Sequence, residues 1–239
     1  MKSAGTPVAV LALVLAGCNL PGRPKPGPEV PRPEEVLAFD ALYKSNCAGC
    51  HGEKGKDGSA TDLANSEYEA WVDDATLREV IANGRKGTLM PGFSIASGGM
   101  LTDQQIDALI EGMRARWRQG NPFQGETPPP YRASRAGDPE KGRAVYAIAC
   151  ARCHGASAQE KGNAGSILDG SFLALISEQM VRTTVIAGRP DIGEPDWRGH
   201  IPGRSMTDEE ITDVTAWLMS EKSATPGQPY PQQPSAVKP

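Results

Sequence analysis

The chain has 239 residues, room for one medium domain or two small ones. Only 5% of the residues are aromatic, while 27 are Gly and 21 are Pro, so side chains alone would build thin cores and something else should fill them. A net charge of −4 without any basic cluster argues against a nucleic-acid partner and slightly favours a basic protein surface.

Residues 7–17, PVAVLALVLAG, form an apolar run behind Lys2 that is too short to span a bilayer as a helix. The run reads as the core of an export signal. It closes on LAGC, which resembles the bacterial lipoprotein cleavage box. That resemblance implies a signal peptide over 1–17, with Cys18 as the first mature residue and the carrier of a lipid. It also implies a place on the periplasmic side of a bacterial membrane. Residues 18–34 hold proline at 21, 24, 26, 28, 31 and 33, a composition that cannot pack. Such a segment is a semi-extended membrane tether of about 3 Å per residue.

The remainder is an internal duplication with a period near 103 residues. The first copy, 35–118, runs EEVLAFDALYKSNCAGCHG, DDATLREVIANGR and LTDQQIDALIEGMRARW. The second, 137–222, runs DPEKGRAVYAIACARCHG, SEQMVRTTVIAGR and MTDEEITDVTAWLMSEK. Each predicts a helix leading into a cysteine pair, a middle helix ending at Asn-Gly or Ala-Gly, and a terminal helix capped by Thr102 or Thr207. Strand signals are nearly absent, so the fold class is all-α. A Pro/Gly-rich linker, 119–136, joins the copies, and 223–239 reads as a disordered Pro-rich tail.

The cysteines carry the chemistry. CAGCH at 47–51 and CARCH at 150–154 share one spacing, which an odd total of five cysteines does not fit to a disulfide framework. Zinc would need two further Cys or His at each site, and only His200 remains. A redox CxxC needs no adjacent histidine. CxxCH attaches haem c through two thioethers, with the histidine as iron ligand. Cys47, Cys50, Cys150 and Cys153 therefore bind two haem c groups, and His51 and His154 are proximal ligands. Cys18 is left for the lipid.

With these motifs in place, both halves resemble class I cytochrome c domains, and the whole resembles a di-haem bacterial lipoprotein of that type. The resemblance implies an all-α fold around each haem, whose macrocycle supplies the missing apolar core. It also implies a glycine set against an aromatic residue where the first and last helices cross. The second copy offers Gly142 and Trp217; the first reverses the pair as Phe39 and Gly112, keeping the summed volume roughly constant.

A methionine as second axial ligand favours ferrous iron and raises the potential, whereas a second histidine lowers it. Met90, in LMPGF and 39 residues after His51, matches the family's Met-Pro ligand loop; Met100 competes but abuts the Thr102 cap. Aligning NGRKGTLMPGF with AGRPDIGEPDW puts Glu194, 40 residues after His154, at the place of Met90. A carboxylate is a poor match for ferrous haem. The second iron is left with Met206, favoured for its sulfur, with His200, with Glu194, or with an open position.

The expected function is single-electron carriage between respiratory or photosynthetic membrane complexes, such as a quinol-oxidising complex, a terminal oxidase or a reaction centre. No catalytic residue is called for. The rivals are a fixed subunit of a larger respiratory complex, and a di-haem peroxidase-like enzyme open at the second haem.

Overall fold

The computed structural model describes residues 27, 29–157, 160 and 162–227. The export signal, Cys18 and residues 228–239 lie outside the described residues. The chain divides after Glu35; in the described part of the first unit a 3₁₀ turn, Pro33–Glu35, is closed by Arg32 on the Glu35 carboxylate at 2.9 Å.

From Val36 onward both copies belong to one unit. In the first copy the helices are α1 (Phe39–Asn46), α2 (Ala48–His51), α3 (Ser66–Trp71), α4 (Asp74–Asn83) and α5 (Asp103–Trp117). The second repeats them as α6 (Pro139–Ala149), α7 (Ala151–His154), α8 (Gly170–Leu175), α9 (Glu178–Ala187) and α10 (Asp208–Ser220). Among the described residues the only β pairing is isolated bridges.

Local chemistry sets the helix starts. Thr102 and Thr207 each close a full capping box: the threonine oxygen accepts the N–H of Gln105 or Glu210, whose side chain accepts the threonine N–H in return. Asp73 and Ser177 cap α4 and α9 through the N–H groups of Thr76 and Met180. α3 and α8, absent from the predicted elements, are one and a half turns each and begin at Asn65 and Asp169, whose side chains accept from Tyr68 and Phe172.

Apolar faces at helical spacing then build the cores. On α5 the buried side chains include Ile106, Leu109, Ile110 and Met113; on α10 they include Ile211, Val214 and Leu218. α1 packs on α5 and α6 on α10. Both expected crossings are present. A Cβ built on Gly112 would lie 2.1 Å from Phe39 Cδ2, and one on Gly142 would lie 2.0 Å from the Asp213 oxygen and 2.8 Å from Trp217 Cβ. In the first half Phe39, Tyr43 and Trp117 form a ring cluster with centroids 5.2–5.7 Å apart. In the second, Tyr146 meets Trp217 at 4.5 Å.

The segment expected as a spacer, 119–136, is a strap packed on both halves. Phe123 is buried against Trp197, and Tyr131 lies on Trp71 with ring centroids 5.2 Å apart. Buried Arg182 donates to the carbonyls of Pro130 and Tyr131 and is paired with Asp208. Backbone carbonyls in such a strap need donors once they leave water, and arginine supplies several in one side chain. The start of the predicted tail is also held, since Ser223 N–H donates to Gly170 O at 3.0 Å.

Candidate haem sites

The CxxCH spacing places Cys47, Cys50 and His51 at i, i+3 and i+4 of one short helical turn, so the three side chains share a face. Cys150, Cys153 and His154 repeat this on α7. Cys47 and Cys150 also end α1 and α6, so the entry helix aims the whole motif. Tyr43 and Tyr146, four residues before these cysteines, fix that aim: their hydroxyls donate to Gly52 O at 2.9 Å and Gly155 O at 2.8 Å.

Each imidazole is pinned from behind. His51 Nδ1 donates to Thr61 O at 2.8 Å and His154 Nδ1 to Gly165 O at 2.9 Å. The N–H groups of Ala60 and Ala164, one residue earlier, return to the carbonyls of Cys50 and Cys153. This closes a tight loop around each motif and turns Nε2 away from it, the arrangement that orients a metal-ligating histidine. The glycines Gly58 and Gly162 pack against the same turn, where any Cβ would meet the Cys50 or Cys153 oxygen at 2.3 or 2.1 Å.

The four cysteines are free thiols. Burial, with Cys50 beside it, pushes the Cys47 thiol up to about 12; burial, with Glu194 and Cys153 nearby, does the same for Cys150. A disulfide-exchange pair needs the opposite, an attacking thiol of lowered pKa. Two thiols and one pinned imidazole on one helical face, twice, fit thioether-bound haem c.

The loops that follow the middle helices correspond residue for residue from Gly84–Phe93 to Gly188–Trp197. Gly84 and Gly188 end α4 and α9 with φ of +68° and +71°, pressed against Met90-Pro91 and Glu194-Pro195. Arg85 N–H donates to Met90 O and Arg189 N–H to Glu194 O, both at 3.0 Å. Phe93 and Trp197 follow three residues later, each giving its N–H to the last turn of the middle helix. Leu101 N–H then bonds Phe93 O at 2.8 Å, and Met206 N–H bonds Trp197 O at 2.9 Å, directly before the two caps.

This register gives each candidate ligand its place in the fold. Met90 is half-buried in the ligand loop, whereas Met100 is 84% exposed. Glu194 holds the place of Met90, with Oε2 3.4 Å from His154 Nε2. Its hydrogen bond holds His154 above the ordinary imidazole range, against the opposing effect of burial. Met206 is the counterpart of Leu101, buried in the core with Trp197, Ile201 and Ile211. His200 is buried and Nε2 donates to Val185 O at 3.2 Å; burial lowers its pKa while nearby Glu194 raises it.

Two all-α halves, each presenting a pinned CxxCH motif and a ligand loop, define a di-haem c-type cytochrome. A family model described as cytochrome c oxidase, cbb3-type, subunit III matches residues 34–111 and again 137–218, and the chain belongs to that family. It is an electron-transfer protein carrying two covalently bound haem c groups. Over 71 residues it is 39% identical to the dihydro-haem d1 dehydrogenase of Pseudomonas aeruginosa, covering 30% of this chain and 13% of that one. Over 149 residues it is 26% identical to the cbb3-type cytochrome c oxidase subunit CcoP of Azospirillum sp., covering 55% of this chain and 45% of that one. The chain thus spans less than half the length of these curated relatives. Among solved structures, the reducing HAO-like protein complex of Kuenenia stuttgartiensis is 19% identical, with 81% of this chain and all of that one covered at a TM-score of 0.46.

Tyr43, Tyr146, Thr61 and Gly165 were not among the residues singled out from the sequence. The tyrosines had a signal, the same four-residue offset from each first cysteine. Thr61 and Gly165 act through backbone oxygen, and no side-chain pattern marks such a role.

Proposed function

We propose that the chain is a lipid-tethered, periplasmic electron donor to a membrane oxidase, held by Cys18 and the proline-rich segment 18–34. The observation that carries this reading is the repeated site: four thiols and two imidazoles pinned through Nδ1 in one compact unit. Haem c supplies a reversible one-electron couple when bound. The chain's residues do the rest. Cys47, Cys50, Cys150 and Cys153 anchor the groups; His51 and His154 present Nε2 along directions fixed by Thr61 and Gly165; Met90 gives the first site a sulfur donor that favours the reduced state. Among the described residues no helix is long and apolar enough to cross a membrane; the LAGC box ending at Cys18 supports attachment through a lipid. A tether raises the effective concentration of the folded unit at its partners and still lets it swing between them.

A second reading, a fixed subunit of the oxidase, is favoured by the family match and the likeness to CcoP. Mild detergent extraction separates the two. A carrier leaves the membrane alone with its lipid; a subunit co-purifies with oxidase at constant stoichiometry. Release of the protein by Cys18→Ser into the soluble periplasmic fraction is expected, and retention on the membrane would refute the lipid tether.

A further inference from the structure

The spacing between equivalent residues rises in steps. It is 103 for Tyr43 and Tyr146, 104 for Thr61 and Gly165, Gly84 and Gly188, and Met90 and Glu194, and 105 for Leu101 and Met206. The second copy has one extra residue in the loop behind His154 and one between Trp197 and the Thr207 cap. No step falls between the histidine's backbone partner and the ligand loop, so the residue brought opposite His154 is Glu194. Its carboxylate is mostly buried, and its oxygen faces the one histidine nitrogen that Gly165 leaves free.

The two other donors are engaged elsewhere. Met206 does for the second core what Leu101 does for the first, ahead of the same capping box. His200 sits in the segment between Trp197 and the cap, which is one residue longer than in the first copy, with its ring held by the Val185 carbonyl.

We propose, on the basis of the di-haem electron-transfer reading above, that Glu194 is the distal ligand of the second haem and that this haem, when reduced, takes small exogenous π-acceptor ligands such as carbon monoxide. The reasoning is that of donor hardness. A carboxylate is a hard anionic donor that stabilises ferric iron, and it lacks the thioether character that stabilises ferrous iron. With haem bound, a hard donor at 194 would hold the second potential below that of a site served by Met90. Reduction would weaken the attraction for the Glu194 carboxylate, and the second haem would then accept a softer external ligand with the carboxylate itself unchanged.

The test uses the full-length holoprotein with a haem-to-protein ratio of two, confirmed by haemochrome assay in every variant. Ferric spectra are expected to show the far-red sulfur-to-iron band of one methionine-ligated haem. Dithionite reduction followed by carbon monoxide should shift the Soret band of one haem of the two. Glu194→Met should roughly double the far-red band, abolish carbon monoxide binding and raise the lower potential. Glu194→Gln, which keeps the volume, should perturb only the ferric signal of the second haem. Met206→Leu and His200→Ala should leave the far-red band and the stoichiometry of carbon monoxide binding unchanged. The assignment is overturned if Met206→Leu removes a far-red band, if His200→Ala opens a new carbon monoxide site, or if the unmutated protein shows two such bands. These readouts need only the isolated chain, so failure to donate electrons to an oxidase would refute the functional reading and leave the ligand assignment standing.

Discussion

Gly142→Ala tests the helix crossing that holds the second half together, because two physical effects pull in opposite directions there. Gly142 is interior to α6, and intrinsic propensity alone favours alanine over glycine by about 1 kcal/mol. Packing opposes it. The new methyl would sit 2.0 Å from the Asp213 carbonyl oxygen and 2.5 Å from its carbon, both main-chain atoms of α10. An ordinary contact begins near 3.4 Å, so the helices must part by about 1.4 Å, the kind of overpacking that costs roughly 1–3 kcal/mol or more. With a rigid neighbour the upper end applies, giving a net loss of about 2 kcal/mol, or roughly 4–8 °C in Tm for a unit of this size. Gly112→Ala is the comparison: its methyl meets the Phe39 ring, a side chain that can rotate aside, so the loss should be smaller. Thermal unfolding of the holoproteins by circular dichroism measures both. A Tm for Gly142→Ala at or above the parent would refute the crossing, and with it the placement of α6 on α10.

Three further outcomes follow from the geometry. Thr207→Ala removes one half of the α10 capping box and should cost about 1 kcal/mol in the same assay, as should Thr102→Ala on α5. Arg182→Met strips the buried donor from Asp208 and from the strap carbonyls of Pro130 and Tyr131, so a loss of about 3 kcal/mol is expected. Limited proteolysis should then cut within 119–136, where the parent resists. Arg135, hydrogen-bonded to Asp213, holds that carboxyl below the usual carboxylate range; its folded pKa is lower than its unfolded one. The stability it contributes is therefore present above about pH 4 and lost as the pH falls through the folded value. Asp213→Asn should be less stable than the parent at pH 7, with the gap closing toward pH 3; a gap constant with pH would contradict this.

The all-α class, the duplication and the cysteine-histidine sets were legible because each rests on a local rule: helical periodicity, threonine caps, a five-residue motif. The exchanged crossing pair, Phe39 with Gly112 and Gly142 with Trp217, was legible because a duplicated chain carries its own comparison. The strap was not. Residues 119–136 have the composition of a spacer, and they pack only because Arg182, Trp71 and Trp197 provide donors and aromatic faces from far away in sequence. α3 and α8 were missed because six residues are too few for a periodic signal to rise above noise. The preference for Met206 rests on sulfur chemistry, whereas the alignment of the two ligand loops sets Glu194 at the place of Met90. What only the folded chain shows is that the Thr61 and Gly165 carbonyls are equivalent, each holding one histidine from behind.

The contact between the halves joins two particular loops, and this bears on how one electron passes through the molecule. Asn65, four residues beyond the Thr61 carbonyl that holds His51, donates to Ala187 O at 2.8 Å and Gly188 O at 3.2 Å. In return Arg189, fixed by Asp191, reaches Ala60 O and Gly58 O at 3.3 Å. Gly188 and Arg189 begin the loop that carries Glu194, and Gly58 to Thr61 form the loop behind His51. The loop behind His51 is thus hydrogen-bonded to the loop that carries Glu194. Asn65 is fully enclosed and Arg189 is largely so, and buried polar side chains satisfied in this way hold their partners in one arrangement. A carrier whose halves swung on a flexible linker would present two separate sites to its partners. Here the strap and the Asn65–Arg189 contact hold the loop behind His51 and the loop carrying Glu194 in one orientation.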